Sequence, residues 1–263
     1  MGAQLLGTTF NELKSLIIGV KYKPADLAFF NRGDSLPNMI AGNVNNTINA
    51  VLFPAIAKVQ DNKVEVKRAI RRSMMTSSFV MVPLMFLLAA MADKIVLILF
   101  TAKWLPCVPF MQVLCLNHCV GILGTANLQT FNAVGRSDIT LKLEFIKKPL
   151  FIFMIICTMT ISPLAIAIGN LVYGVVATAI NAWPNRNIIN YKLTEQLNDV
   201  KMPFIISTLM FVLVYAMGGI DMNLYLSVLL QGALGVCVYI SLSRLFAYDS
   251  MSYLLTTIKQ IKS

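Results

Sequence analysis

Charge is scarce in this sequence: Asp, Glu, Lys and Arg together make up 13% of it, whereas 57% is hydrophobic. No soluble domain of this length needs so much apolar material to fill one core, so the solvent is lipid. Histidine occurs once, and Cys115, His118 and Cys119 lack the second ligand pair that a zinc site requires. The five cysteines, Cys107, Cys115, Cys119, Cys157 and Cys237, fall mostly in apolar stretches and read as small hydrophobes, not as a disulfide framework. Basic residues outnumber acidic ones 22 to 12, but in short runs without the aromatic-interleaved patch of a nucleic-acid interface, which excludes nucleic acid as a partner. Long loops are also missing, and with one His there is little from which to build the catalytic constellation of a membrane glycosyltransferase, polymerase or acyltransferase. The expectation is a protein that is not an enzyme and has no catalytic residues, no cofactor and no metal. Glu12 and Lys14 interrupt the first apolar stretch, so it does not read as a cleavable signal.

What is present is a series of eight apolar stretches that meet or approach the roughly 20 helical residues a bilayer requires. They run from 4 to 20 (A), 36 to 57 (B), 74 to 91 (C), 107 to 128 (D), 145 to 162 (E), 164 to 183 (F), 202 to 218 (G) and 224 to 246 (H). Their continuity, without two-residue alternation, indicates helices and not barrel strands. The predicted fold is all-α: a polytopic membrane helical bundle of about eight transmembrane helices. Sixteen Lys and Arg residues fall in one set of alternate loops and five, Lys94 among them, in the other, which predicts cytoplasmic N and C termini. The basic run from Val64 to Arg72 reads as part of that orientation signal, in contact with anionic lipid. The tail from Tyr248 to Ser263 either lies along the inner membrane surface or is a solvated helix.

Polar residues inside the spans form stripes, because positions spaced by four, three and four fall within about 60° on a helix. Span B carries Asn38, Gly42, Asn45 and Asn49, with Asn46 beside them; span A carries Gln4, Thr8, Asn11 and Ser15. Span D offers His118, Thr125, Gln129 and Asn132, and span F offers Asn170, Gly174, Ala177 and Asn181. Spans G and H show almost nothing comparable and are expected at the periphery. Amides facing lipid would cost several kcal/mol each, so each stripe faces either a packed helix seam or water in a cavity. Glu12 and Lys14 point about 160° apart on one helix and need separate partners unless both heads reach the interface.

The loops carry a more specific signal. The run LIIG from Leu16 to Gly19, the run from Pro24 to Arg32, and Leu36-Pro37 resemble the opening of the C-terminal half of Wzx-type repeat-unit flippases. These bacterial exporters of lipopolysaccharide and other polysaccharide units belong to the multidrug, oligosaccharidyl-lipid and polysaccharide exporter superfamily. VLFPAIAKVQ from Val51 to Gln60 with RAIRRS from Arg68 to Ser73, then AKWLPCVPFMQVLCL from Ala102 to Leu116 and NAVGRSDITLKLEFIKK from Asn132 to Lys148, are similar to the same family in the same order. The resemblance implies two six-helix lobes around a central cavity, sometimes followed by two extra helices. Residues 1–183 would form the second lobe, and residues 184–263 the extra transmembrane pair and a cytoplasmic tail. The first lobe would then come from another chain or a homo-oligomer.

The implied activity, at the bacterial inner membrane, is translocation of an undecaprenyl-diphosphate-linked oligosaccharide for lipopolysaccharide, O-antigen or capsule synthesis, beside polysaccharide assembly proteins and membrane lipids. Under it, Lys14 and Arg32 balance diphosphate charge, Asn45, Asn49 and Gln129 meet sugar hydroxyls, and Glu12 or His118 carries a coupling proton. The alternatives are a small-molecule antiporter of the same superfamily, a membrane glycan-modifying enzyme and an inactive remnant.

Overall fold

The computed structural model describes residues 14–57, 59, 62–220 and 222–246. These residues are almost entirely helical, with no strand among them. Helix α1 is described over residues 14–21. It is followed by α2 (Pro24–Ala57), α3 (Lys63–Ala90), α4 (Ala92–Phe100), a 3-10 turn (Ala102–Cys107), α5 (Val108–Ala133), α6 (Ser137–Thr158), α7 (Pro163–Ala182), the short α8 (Asn185–Ile188), α9 (Leu193–Gly218) and α10 (Leu224–Phe246).

Local chemistry explains the helix ends. The Asn62 side chain accepts from the Val64 and Glu65 amides and caps α3, while Ser162 accepts from the Ala165 amide and Pro163 opens α7. Gly135 takes φ +74° in the α5–α6 turn, a left-handed conformation that costs glycine nothing. Span H matches α10 to the residue, and span F matches α7 within one. Elsewhere the helices outrun the apolar stretches. The helix containing span B begins twelve residues before Leu36, because residues 24–35 alternate packed and exposed positions and lack the continuous hydrophobicity that marked the span. At 34 residues, α2 is about 51 Å long. α3 and α9 are likewise extended at their N-terminal ends by basic and acidic turns.

Among the described residues, five helical stretches are long and apolar enough to cross a membrane: Lys63–Ala90, Ala102–Ala133, Pro163–Ile188, Leu193–Gly218 and Leu224–Phe246. α2 is diluted by its amides, and α6 carries Lys142, Glu144, Lys147 and Lys148. The protein is a multi-pass membrane helical bundle. Its principal packing pairs are α2 with α5, α3 with α9 and α5 with α7, while α10 lies on α9 and α6 on α7. α9 does not stand apart as expected for span G: Ile206, Met210 and Val214 enter the same core as Met81, Met85 and Ala89 of α3. Phe204 and Phe211 meet the Phe86 ring edge-on, with centroids 6.3 and 6.2 Å away.

The expectation that span H lacks a polar stripe is also corrected. Ser227, Gln231, Gly235, Tyr239 and Ser243 recur every four residues along α10, and all are buried. They form a seam in which Gln231 donates to the Val214 carbonyl at 2.8 Å and Tyr239 donates to the Phe79 carbonyl at 2.8 Å. Lys94, assigned to a loop by sequence, lies in α4 at 9% exposure. Its ammonium donates to the Gly218 carbonyl at the end of α9 (3.0 Å) and to the Ser227 hydroxyl (2.5 Å), a cation placed at a helix C-terminus.

Candidate functional site

α2 turns one polar face outward. Asn31, Ser35, Asn38, Asn43, Asn46 and Thr47 are all exposed, whereas Phe30, Gly33, Pro37 and Ala41 on the opposite side are buried. Gly33 sets the approach to α5: an added Cβ would lie 2.8 Å from the Phe110 Cβ and 3.0 Å from the Cys107 carbonyl oxygen and the Met111 nitrogen. Two of those neighbours are backbone and cannot swing away. The close approach brings the two helices side by side, running in the same direction from Phe30 on Phe110 to Asp34 on His118.

At that second contact His118 Nε2 is 2.9 Å from an Asp34 carboxylate oxygen, with both side chains partly open. Sequence singled out His118 but passed over Asp34, which it placed in a loop before span B. The signal was available in the spacing, because Asp34 precedes Asn38 by one helical turn and extends the amide stripe. Below this pair, Asn45 on α2 and Thr125 and Gln129 on α5 are half-buried. The Asn45 Oδ1 is buried without a hydrogen-bond partner, while Gly42 and Gly121 face open space. An acid, an imidazole and amides on two adjoining helices can accept and donate hydrogen bonds to a hydroxyl-rich ligand and can hold a proton.

The remaining candidates fall elsewhere. Arg32 stacks on two rings, with its guanidinium carbon 4.6 Å from the centroid of Phe100 and 4.7 Å from that of Trp104. Lys14 lines a tight crevice with Phe151, Thr158 and Asn170, on α6 and α7 and away from the α2 face. Glu12 and the side chain of Asn49 lie outside the described residues, as do the first three members of the span A stripe and the tail. The span F stripe is a packed seam: Asn117 Oδ1 lies 2.8 Å from where a Gly174 Cβ would be, and Thr178 donates to the Val120 carbonyl at 3.3 Å.

Sequence reasoning also missed a buried polar network joining α5, α8 and α9. Asn127 donates to Gln196 at 2.9 Å and accepts from Asn185 at 2.5 Å, all three being almost fully buried. Asn127 lies on the far side of α5 from His118 and Gln129, so the span D stripe did not include it. Above this network Lys67 pairs with Glu195 and Arg71 with Asp199, both at 2.6 Å, and the Tyr191 hydroxyl donates to Asp199 at 2.7 Å. Burial, and then the Asp199 carboxylate, push the Tyr191 phenol well above its ordinary range, so it remains a donor. Two cations of the Val64–Arg72 run are thus engaged by α9.

Residues 1–109 match a family described as "Polysaccharide biosynthesis protein". Over 177 residues, 66% of this chain and 36% of the relative, the sequence is 24% identical to the lipopolysaccharide biosynthesis protein WzxC of Escherichia coli (strain K12). The chain is thus similar in sequence to proteins of polysaccharide biosynthesis. A second relative, the teichuronic acid biosynthesis protein TuaB of Bacillus subtilis (strain 168), is 21% identical over 216 residues, 82% of this chain and 45% of TuaB. The chain therefore spans less than half the length of either relative. Its fold is similar to that of the lipid II flippase MurJ in an inward closed conformation, with a TM-score of 0.80 at 14% identity, over 95% of this chain and 53% of MurJ.

Proposed function

We propose that this chain is the C-terminal portion of a flippase that moves an undecaprenyl-diphosphate-linked oligosaccharide across the bacterial inner membrane for polysaccharide synthesis. The observation that carries the reading is the exposed amide face of α2, set against the leucine and valine faces that α9 and α10 turn outward. Lipid cannot satisfy those amides, so the face belongs against water, sugar hydroxyls and a second lobe. A six-helix N-terminal lobe, or a second copy of this chain, would close the cavity. Residues 1–183 would then be the lobe and residues 184–263 an additional pair of spans with a cytoplasmic tail, making about eight spans with both termini inside.

Asn45, Asn49 and Gln129 would meet the glycan and Glu12 or the Asp34–His118 pair the coupling proton, while Lys14 and Arg32, which lie apart from that amide face, would meet the diphosphate at other points of its path. No bond is made or broken; the work is alternating exposure of one cavity, for which a rocking movement of two lobes suffices. The test is complementation in a bacterium lacking its repeat-unit flippase, with and without a co-expressed N-terminal lobe, after membrane insertion is confirmed. Restoration of surface polysaccharide in either arm supports the reading. Failure in both, with the chain inserted, contradicts it.

A further inference from the structure

A cleft of about 560 Å³ opens where the start of α3, the α5–α6 turn and the α7–α8 segment converge, on surfaces that do not include α2. Its rim is polar: Lys63, Arg136 and Asn187, all exposed. Its floor is apolar, with Val66 and Ile189 buried and Ile188 half-buried. Six of its nine lining residues are hydrophobic or proline. A volume of this size is in the range that holds a ligand of several hundred daltons.

The charge balance at the rim is positive. Arg136 uses Nε and one Nη2 hydrogen on the Asp138 carboxylate, at 3.0 and 3.3 Å, which leaves three of its five N–H donors. Lys142 also approaches Asp138, at 3.9 Å, so that carboxylate does not cancel Lys63. By contrast Lys67, Arg68 and Arg71 of the basic run pair with Glu195, Glu65 and Asp199. A small soluble anion has no use for the hydrophobic floor, and an uncharged lipid has none for the cationic rim.

We propose that this cleft is a binding site for the phosphate head of an anionic membrane lipid, with Lys63 and Arg136 on the phosphate, Asn187 on the glycerol and the acyl chain along Val66, Ile188 and Ile189. The inference rests on the chain being a membrane protein and is independent of what it transports. It is tested by native mass spectrometry of the purified full chain titrated with phosphatidylglycerol, phosphatidylcholine or inorganic pyrophosphate.

The expected result is one phosphatidylglycerol bound about tenfold more tightly than phosphatidylcholine. Lys63→Gln with Arg136→Gln should remove most of that preference, and Lys201→Gln, on α9 outside the cleft, should not. Ile139→Trp, which fills the cleft and keeps every charge, should weaken phosphatidylglycerol by a similar factor. Equal binding of the two lipids would overturn the proposal, as would a preference unmoved by both cleft variants, which would mean diffuse surface charge. Pyrophosphate binding that depends on Lys63 and Arg136, without lipid binding, would overturn it in favour of a soluble anion.

Discussion

Asn38 on α2 and Leu209 on α9 are both exposed on long helices of one bundle, and they are surrounded by opposite chemistry. Asn31, Ser35, Asn43, Asn46 and Thr47 share the outward side of α2 with an exposed apolar residue, Met39, whereas Leu209 is accompanied by Val212 and Leu213 on α9 and by Leu229 and Val236 on α10. The leucines and valines are where lipid tails belong; the amides are not. A second contrast has the same lesson. Equal four-residue spacing produces an open face on α2 and a closed seam on α10, where Gln231 and Tyr239 find backbone carbonyls across the interface. Spacing assigns residues to a face, and only the neighbouring helix decides whether that face is dry.

The largest effect should follow from making α2 resemble α9. Under the proposed flippase function, Asn38→Leu with Asn45→Leu is expected to lower polysaccharide export at least about tenfold at unchanged protein level, the equivalent of about 1.4 kcal/mol or more in the proposed translocation step; export assayed beside an immunoblot reads both. Gly33→Val should next separate α2 from α5, because the added carbons meet backbone at about 3 Å; overpacking of this kind costs about 1 to 3 kcal/mol, read as a lower Tm in detergent. Asn127→Leu leaves Asn185 and Gln196 without their shared partner and should cost about 1 to 3 kcal/mol, also as a fall in Tm. Ser207→Ala marks the small end of the scale. That hydroxyl is buried with no hydrogen-bond partner, so its removal should shift stability by less than about 0.5 kcal/mol or raise it.

Much of the bundle was legible in the sequence because lipid imposes a one-dimensional signal. Continuous hydrophobicity located α7 and α10 almost to the residue. It failed at the start of α2, where twelve amphipathic residues continue the helix beyond the apolar run, and the error concealed Asp34 as the partner of His118. The α10 stripe was overlooked because Ser227, Gln231, Gly235, Tyr239 and Ser243 are four residue types with no repeated amide and no charge among them. Asn127 and Lys94 were missed for another reason: their partners lie 58 or more positions away in the chain, on helices whose adjacency no local pattern encodes. Of the candidate site, sequence located Asn45, Gln129 and His118 on the two helices that adjoin; it did not separate Lys14, which the fold places against α6 and α7.

The central claim, that the α2 face meets water while the α9 and α10 faces meet lipid, is tested most directly by cysteine accessibility in cells. With the exposed Cys157 and Cys237 replaced by Ala, single cysteines at Asn38, Asn46, Leu209 and Val236 would be treated with a charged maleimide before lysis. Labelling at Asn38→Cys and Asn46→Cys, with little at Leu209→Cys and Val236→Cys, is the predicted result. Equal protection of all four positions would place α2 in lipid or in a dry seam and contradict the account.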